Sequence, residues 1–415
     1  MTNGILKSVP DKKRILIPGI FSLFILILLS GMDMGNIVSF HKDYEDDTKS
    51  GDYSPSFVSI PGAISDEGEA DPESGAVTYL IGADERPADN IYGEQPYNDA
   101  SGRKIAIRYY EKENKPGGIS IVDLVDGSRT EILSGKPPFP AFHAWGEFLY
   151  YHQTINDKLV LRRCNYLTLK VEDIAVLPPE KGRYSYGTVS QDHRYYAVSV
   201  QPNRDAPSVV HLLDIKTGKW SLMLDKAGYH AKHEQFSRDG RNRVLIQLNQ
   251  QPDVKVVLLE ELELGGKEKL FAADRPHTPR PTGHEAWVGN TGVVFFSTAS
   301  DPTSTGNIWT AKIGDSSPKQ VYTGKLRFGH VSVSRCGKYW IGDTGEKGIP
   351  IYIGNFATGN CRRVVFSRTE YDNNQWSHCH PYLTADNKWL IFTARRNGLP
   401  QVYGAKLKEG WLETL

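Results

Sequence analysis

The stretch TADNKWLIFTA, Thr384 to Ala394, begins with a polar turn and runs directly into an apolar strand. Asp and Asn favour tight turns because their short side chains bond the local backbone, and the Trp, Leu, Ile and Phe that follow suit a pleated, buried surface. Six more segments have the same form: DASGRKIAIRYY, HAWGEFLYYHQ, SQDHRYYAVSV, SRDGRNRVLIQL, VGNTGVVFFST and SRCGKYWIGDT. These start at Asp99, His143, Ser190, Ser237, Val288 and Ser334, so with Thr384 the successive copies lie 44, 47, 47, 51, 46 and 50 residues apart. Many copies are followed by a second hairpin, as in ISIVDLVDGSRTEIL (Ile119 to Leu133), VVHLLDIKTGKWSLML (Val209 to Leu224) and IYIGNFATGNCRRVV (Ile351 to Val365). Two hairpins make four strands, and four strands at this period predict the blade of a β-propeller. The expected fold is therefore all-β, a seven-bladed β-propeller spanning residues 76–415. A pair of β-sandwiches does not account for the regular spacing. AVTYLIGA, Ala76 to Ala83, precedes the first full repeat and is expected to supply the outer strand that closes the ring on the last blade.

Composition supports an all-β chain and narrows its partners. The 415 residues include 21 Tyr and 39 Gly, which favours strands joined by tight turns. Lys and Arg total 49 against 49 Asp and Glu, and no basic block exceeds Lys12-Lys13-Arg14, so a nucleic-acid partner is not expected. That basic block ends a short cytoplasmic N-terminus (residues 1–14) and precedes the uncharged run ILIPGIFSLFILILLSGM, Ile15 to Met32. Its length and flanks predict an export signal or a membrane anchor, with the remaining chain sent across the bilayer. The protein is expected to be extracytoplasmic, secreted or tethered through this segment. Residues 33–75 are acidic and rich in Ser, Gly and Pro, the composition of a flexible linker. The four cysteines, Cys164, Cys336, Cys361 and Cys379, form no CxxC pair, so they suggest neither a dense disulfide scaffold nor a zinc ribbon.

Histidines recur at one place in the repeat. Four residues before each turn stand Gln95, Phe139, Tyr186, His233, His284, His330 and His380. Equivalent positions in a radial fold face the axis at one level, so His233, His284, His330 and His380 are expected to converge. His378 lies two residues before His380, and strand residues two apart share a face. Both can reach one ion, while Cys379 between them is expected to point away. Gln375 stands near the entry to that strand, where its amide oxygen could reach the same centre. Imidazoles with a carbonyl oxygen suit a borderline divalent metal. Tyr186 occupies the inner position of the third blade and is a candidate for contact with substrate.

Three segments also resemble a known family, the oligogalacturonate lyases of the pectate lyase 22 type, which are seven-bladed propellers. SHCHPYLTADNKWLIFTARRNGLPQVYGAKL (Ser377 to Leu407) resembles their final blade, GHEAWVGNTGVVFF (Gly283 to Phe296) their His-Glu-x-Trp segment, and KHEQFSRDGRNRVLIQL (Lys232 to Leu248) a His-x-x-aromatic blade start. GHVSVSRCGKYWIGD (Gly329 to Asp343) is similar in the same way. The resemblance implies a lyase that cleaves uronate-containing oligosaccharides by metal-assisted β-elimination to 4,5-unsaturated products. It implies Mn²⁺ or another divalent ion held by His284, Gln375, His378 and His380, with His233 as general base. With that set filled, His330 is expected to face substrate alongside Tyr186. An acidic oligosaccharide is the implied partner; the alternatives are a lyase for a different acidic glycan and a non-catalytic propeller that binds a glycan or protein. The chain departs from the family pattern at Cys379, where a proline is expected. It departs again at NIYGEQPYNDASG (Asn90 to Gly102), where the family's first blade opens with histidine, and at APSVVHLLDIKTG (Ala206 to Gly218), which lacks an expected arginine.

Overall fold

In a computed structural model, residues 59–60, 64–66, 68 and, from 70 onward, all but short internal stretches are described; the longest of these stretches are 135–139, 271–281, 299–304 and 370–376. The apolar run Ile15–Met32, the inner-position residue Phe139 and the metal-ligand candidate Gln375 lie outside the described residues. Among the described residues no helix is long and apolar enough to cross a membrane.

The strands form seven antiparallel sheets, one for each repeat. Blade 4 shows the plan: His230–Phe236, Val244–Gln250, Asp253–Leu259 and Glu268–Leu270 pair in that order from the axis outward. Blades 5 and 6 repeat it, opening with Thr282–Trp287 and Phe328–Val333. Blade 3 splits its inner strand into Arg183–Tyr184 and Thr188–Val189, both paired with Tyr195–Gln201. Among the described residues blade 2 departs furthest, with three strands preceded by Ala141 and Phe142. Ala141 N donates to Tyr150 O at 2.8 Å, and Phe142 bridges sideways to Thr188 of blade 3.

Ring closure follows the expected route. Val77–Ile81 lies antiparallel to Pro400–Lys406, with Val77 opposite Lys406 and Ile81 opposite Val402, so the last blade takes its fourth strand from the front of the propeller. The stretch expected to be flexible linker contributes more than a tether. Ile64–Asp66 extends the same sheet, and Ser59–Ile60 pairs with Arg129–Ser134 on the outside of blade 1. Further along, Asp71 receives Arg363 Nη1 at 2.6 Å, and Ser74 Oγ donates to Val364 O at 2.6 Å, fastening the strand to blade 6 as well.

No single core exists among the described residues. The buried apolar side chains fall into seven clusters, one between each pair of neighbouring blades. Blades 7 and 1, for example, share Ile81, Ile105, Ile107, Val122, Ile391 and Val402. Fully burying one such side chain contributes about 1.5–3 kcal/mol, and each blade's two faces are covered by different neighbours. The arrangement explains why strand residues of both alternating sets are apolar, as in Leu390 and Phe392 toward blade 6 and Ile391 toward blade 1. All four cysteines are free thiols. Cys379 is fully buried in the apolar layer between blades 6 and 7, turned away from the axis as expected.

Gly404 sits where the closing strand is held. A Cβ there would press on Ile81 and come within 3.1 Å of Trp389. Gly404→Ala is expected to overpack this layer and destabilise the protein by about 1–3 kcal/mol, read as a lower urea midpoint. An unchanged midpoint would show that the closing strand is not clamped at this point.

Candidate active site

The innermost strands of blades 4, 5 and 6 each carry one surplus residue at the same place. Three steps along one strand, Lys232 to Gln235, Gly283 to Ala286 and Phe328 to Val331, answer two on its neighbour. Such a β-bulge bends the strand and re-aims the side chains it contains. His233 and His284 lie in these bulges with φ of 54° and 56°, and His380 of blade 7 has φ of 42°. A non-glycine residue held in the left-handed region costs about 1–3 kcal/mol. Repeat spacing therefore locates the right positions, but the bulge, not strand alternation, sets where the rings go. In blade 7 the inner strand proper is only Tyr382–Leu383, and His378 and His380 precede it.

The rings converge. His330, His378 and His380 each offer a nitrogen, all three within 4.8 Å of one another, and all three residues are buried. His330 Nε2 and His378 Nδ1 are 3.2 Å apart. The His284 ring stands 4.7 Å from that of His330, centroid to centroid. Burial, followed by the neighbouring His330, His378 and His284, holds His380 well below the usual imidazole range and so keeps it neutral, the form that ligates metals. His330 Nδ1 is fixed by Asp343 Oδ2 at 2.8 Å, which leaves Nε2 for the cluster. Asp343 is itself buried, which raises its pKa, but His330 more than offsets this and the net shift is downward. A carboxylate behind a histidine is the usual support of a metal ligand. Three imidazoles, one so supported, fit a borderline divalent cation.

A carboxylate that spacing did not reveal completes the centre. In blade 1, Asp89 lies opposite Arg108 and Asn98 opposite Ile105, so nine steps on one strand answer three on the other. The surplus makes an excursion through residues 90–97, every one of them buried. Asn90 Nδ2 donates to His380 O at 2.7 Å, and Gly93 passes so close that a Cβ would lie 2.6 Å from the same oxygen. The Tyr92 ring is 4.6 Å from His380 and 5.6 Å from His233. Glu94 then reaches two histidines, with Oε1 2.6 Å from His284 Nδ1 and Oε2 3.3 Å from His233 Nδ1. Burial raises the Glu94 pKa, but His284 and His233 together hold it down to about 2. For His284, burial lowers the pKa and the adjacent Glu94 outweighs it, giving a net rise.

Of the residues expected at the site, His233, His284, His330, His378 and His380 are brought together. His330, expected to face substrate once the ligand set was filled, stands within the three-imidazole group. Tyr186 lies one ring further out, 5.6 Å from Phe142, which in turn is 6.3 Å from His233. Gln95, the inner-position residue of blade 1, bonds Gln235 at 2.7 Å instead of facing the histidines. Residues not anticipated are Glu94, Asp343, Tyr92 and Glu285. Glu285 is buried with neither carboxylate oxygen hydrogen-bonded, and that burial pushes its pKa up. The one sequence signal for the excursion was the unusual opening of blade 1.

No protein-family model matches the chain, and no curated protein matches its sequence. Among solved structures it is similar to an oligogalacturonate lyase in complex with manganese, with a TM-score of 0.69 and 18% identity over 86% of this chain and 100% of that one. It is also similar to an oligogalacturonate lyase from Vibrio parahaemolyticus, with a TM-score of 0.66 and 15% identity over 86% of this chain and 99% of the other. A prolyl endopeptidase structure is matched at a TM-score of 0.51 and 12% identity, over 81% of this chain but 55% of its own. What these matches share with the chain is the propeller, and its fold is that of the oligogalacturonate lyase structures along nearly their whole length.

Proposed function

We propose that this propeller is a lyase that cleaves a uronate-containing oligosaccharide by β-elimination. The observation that carries this is a continuous line of groups at the axis: His233 joined through Glu94 to His284, then ring against ring to His330, His378 and His380. A β-elimination on a uronate needs both ends of that line. At one end, His233 has Nδ1 on Glu94, which leaves Nε2 to take the proton from C5. The C4–O bond then breaks, a C4–C5 double bond forms, and the departing oxygen is protonated. At the other end, His378 and His380 would hold a divalent cation with His330 as their third imidazole, and His284 stands next to this group. When bound, the cation would neutralise the uronate carboxylate and so stabilise charge developing beside C5. The oligogalacturonate lyase folds matched above, one described as a manganese complex, support the same choice of substrate class and metal. The basic and apolar N-terminus supports action outside the cytoplasm.

Glu94 favours a glycan other than oligogalacturonate as the natural substrate. It adds a buried anion next to the base, at a point where the family pattern has a histidine-containing segment, and so alters the charge a sugar acid meets.

Incubating the full chain with Mn²⁺ and a panel of uronate glycans, and following ultraviolet absorbance of the unsaturated product, tests the reaction; silence across the panel would favour a binding propeller. His233→Ala is expected to lower turnover by about 10²–10⁴-fold while metal content is retained, and surviving activity would remove His233 as base. His380→Ala should lose the metal outright. Asp343→Asn should weaken metal affinity by about 10–100-fold, measured by calorimetry, and unchanged binding would exclude His330 from the ligand set.

A further inference from the structure

We propose that Glu94 is a positioning residue that sets the proton positions of two central histidines at once, fixing His233 and His284 with Nδ1–H toward its carboxylate. The role assigned to His233 rests on the lyase reading; the proton positions do not.

Each Glu94 oxygen serves one ring, Oε1 for His284 and Oε2 for His233, and both meet the ring at Nδ1. An ionised carboxylate only accepts hydrogen bonds, so both nitrogens facing it must carry hydrogen. A neutral imidazole has one hydrogen, and its Nε2 is therefore bare. At His233 the bare nitrogen is the one a base requires. Asp343 imposes the same arrangement on His330, where the bare nitrogen lies 3.2 Å from His378. Thus three of the central rings are oriented by two buried acids, one of which is shared.

The backbone shows that Glu94 is delivered to this place. Only the six surplus residues of the blade 1 excursion carry it out of its sheet, and the excursion is pinned on both sides of Glu94. Asn90 is bound to His380 O at 2.7 Å, and Gln95 Nε2 donates to Gln235 Oε1 at 2.7 Å. Gln235 Nε2 donates to Glu285 O at 2.6 Å, which ties the excursion to blades 4 and 5, the two blades whose histidines Glu94 joins. Glu94 is 2% exposed, so water does not substitute for it.

The experiment is ¹⁵N-histidine NMR of the full chain at mildly alkaline pH, comparing wild type with Glu94→Gln and Glu94→Ala. An amide puts a donor NH2 where one of the two carboxylate oxygens stood, so Glu94→Gln cannot accept from Nδ1–H of both rings at these positions. Wild type is expected to show protonated Nδ1 and bare Nε2 at both His233 and His284. In Glu94→Gln at least one of the two should change to a bare Nδ1, and in Glu94→Ala both should become mixed. Resonances of the distant His143 and His193 report that the variants are folded. Both rings keeping the wild-type pattern in both variants would overturn the proposal. In the lyase assay, Glu94→Ala should lower kcat about tenfold or more with little change in KM, and Glu94→Asp should recover part of it; an unchanged kcat in Glu94→Ala would also overturn the role at His233. If wild type cleaves no uronate glycan, the lyase reading fails alone and the NMR comparison still decides the proton positions.

Discussion

The pairing of Val77–Ile81 with Pro400–Lys406 is the contact on which the remaining architecture depends. Each blade buries both faces against neighbours, so a ring that did not close would leave two apolar faces and two unpaired edges in water. Closure also makes blade 1 and blade 7 neighbours, although their inner segments are separated by nearly the whole propeller. Asn90 and Thr393 hydrogen-bond directly, at 2.8 Å between Thr393 Oγ1 and Asn90 Oδ1, and Gly93 lies against the backbone of His380. The site is thus a product of the closed ring: its histidines come from the last four blades and the carboxylate between them comes from the first.

Much of this was legible in the chain because a propeller converts sequence period into spatial level. Turn chemistry followed by an apolar strand recurs often enough to count blades, and a histidine at a constant offset from the turn becomes a histidine near the axis. The same logic anticipated the outer strand at Val77 and the outward placement of Cys379. It is weakest where a blade is irregular. In blade 2 the residue at that offset, Phe139, lies outside the described residues, and blade 1 spends its inner strand on an excursion that no period describes.

Glu94 and Asp343 show why the support of a site is harder to read than its ligands. Asp343 lies in the second strand of blade 6, in a stretch that otherwise reads as packing, and becomes significant only because register places it against His330. Glu94 depends on a count of surplus residues that is visible only when both strands are aligned. Neither acid stands four residues before a turn, where the histidines recur. Electrostatics then binds these hidden groups to the visible ones: the imidazoles keep both buried acids ionised, and the acids decide which imidazole nitrogen is free.

The left-handed backbone at His233, His284 and His380 bears on how such a site would decay. Glycine adopts that conformation without the penalty a side chain incurs. Selection for stability alone would therefore replace these histidines by glycine, and only the usefulness of the imidazoles opposes the drift. Among relatives of this chain, glycine at the three left-handed positions would mark propellers that have kept the ring without its imidazoles, while histidine retained there marks a lineage that keeps them at a cost in folding free energy.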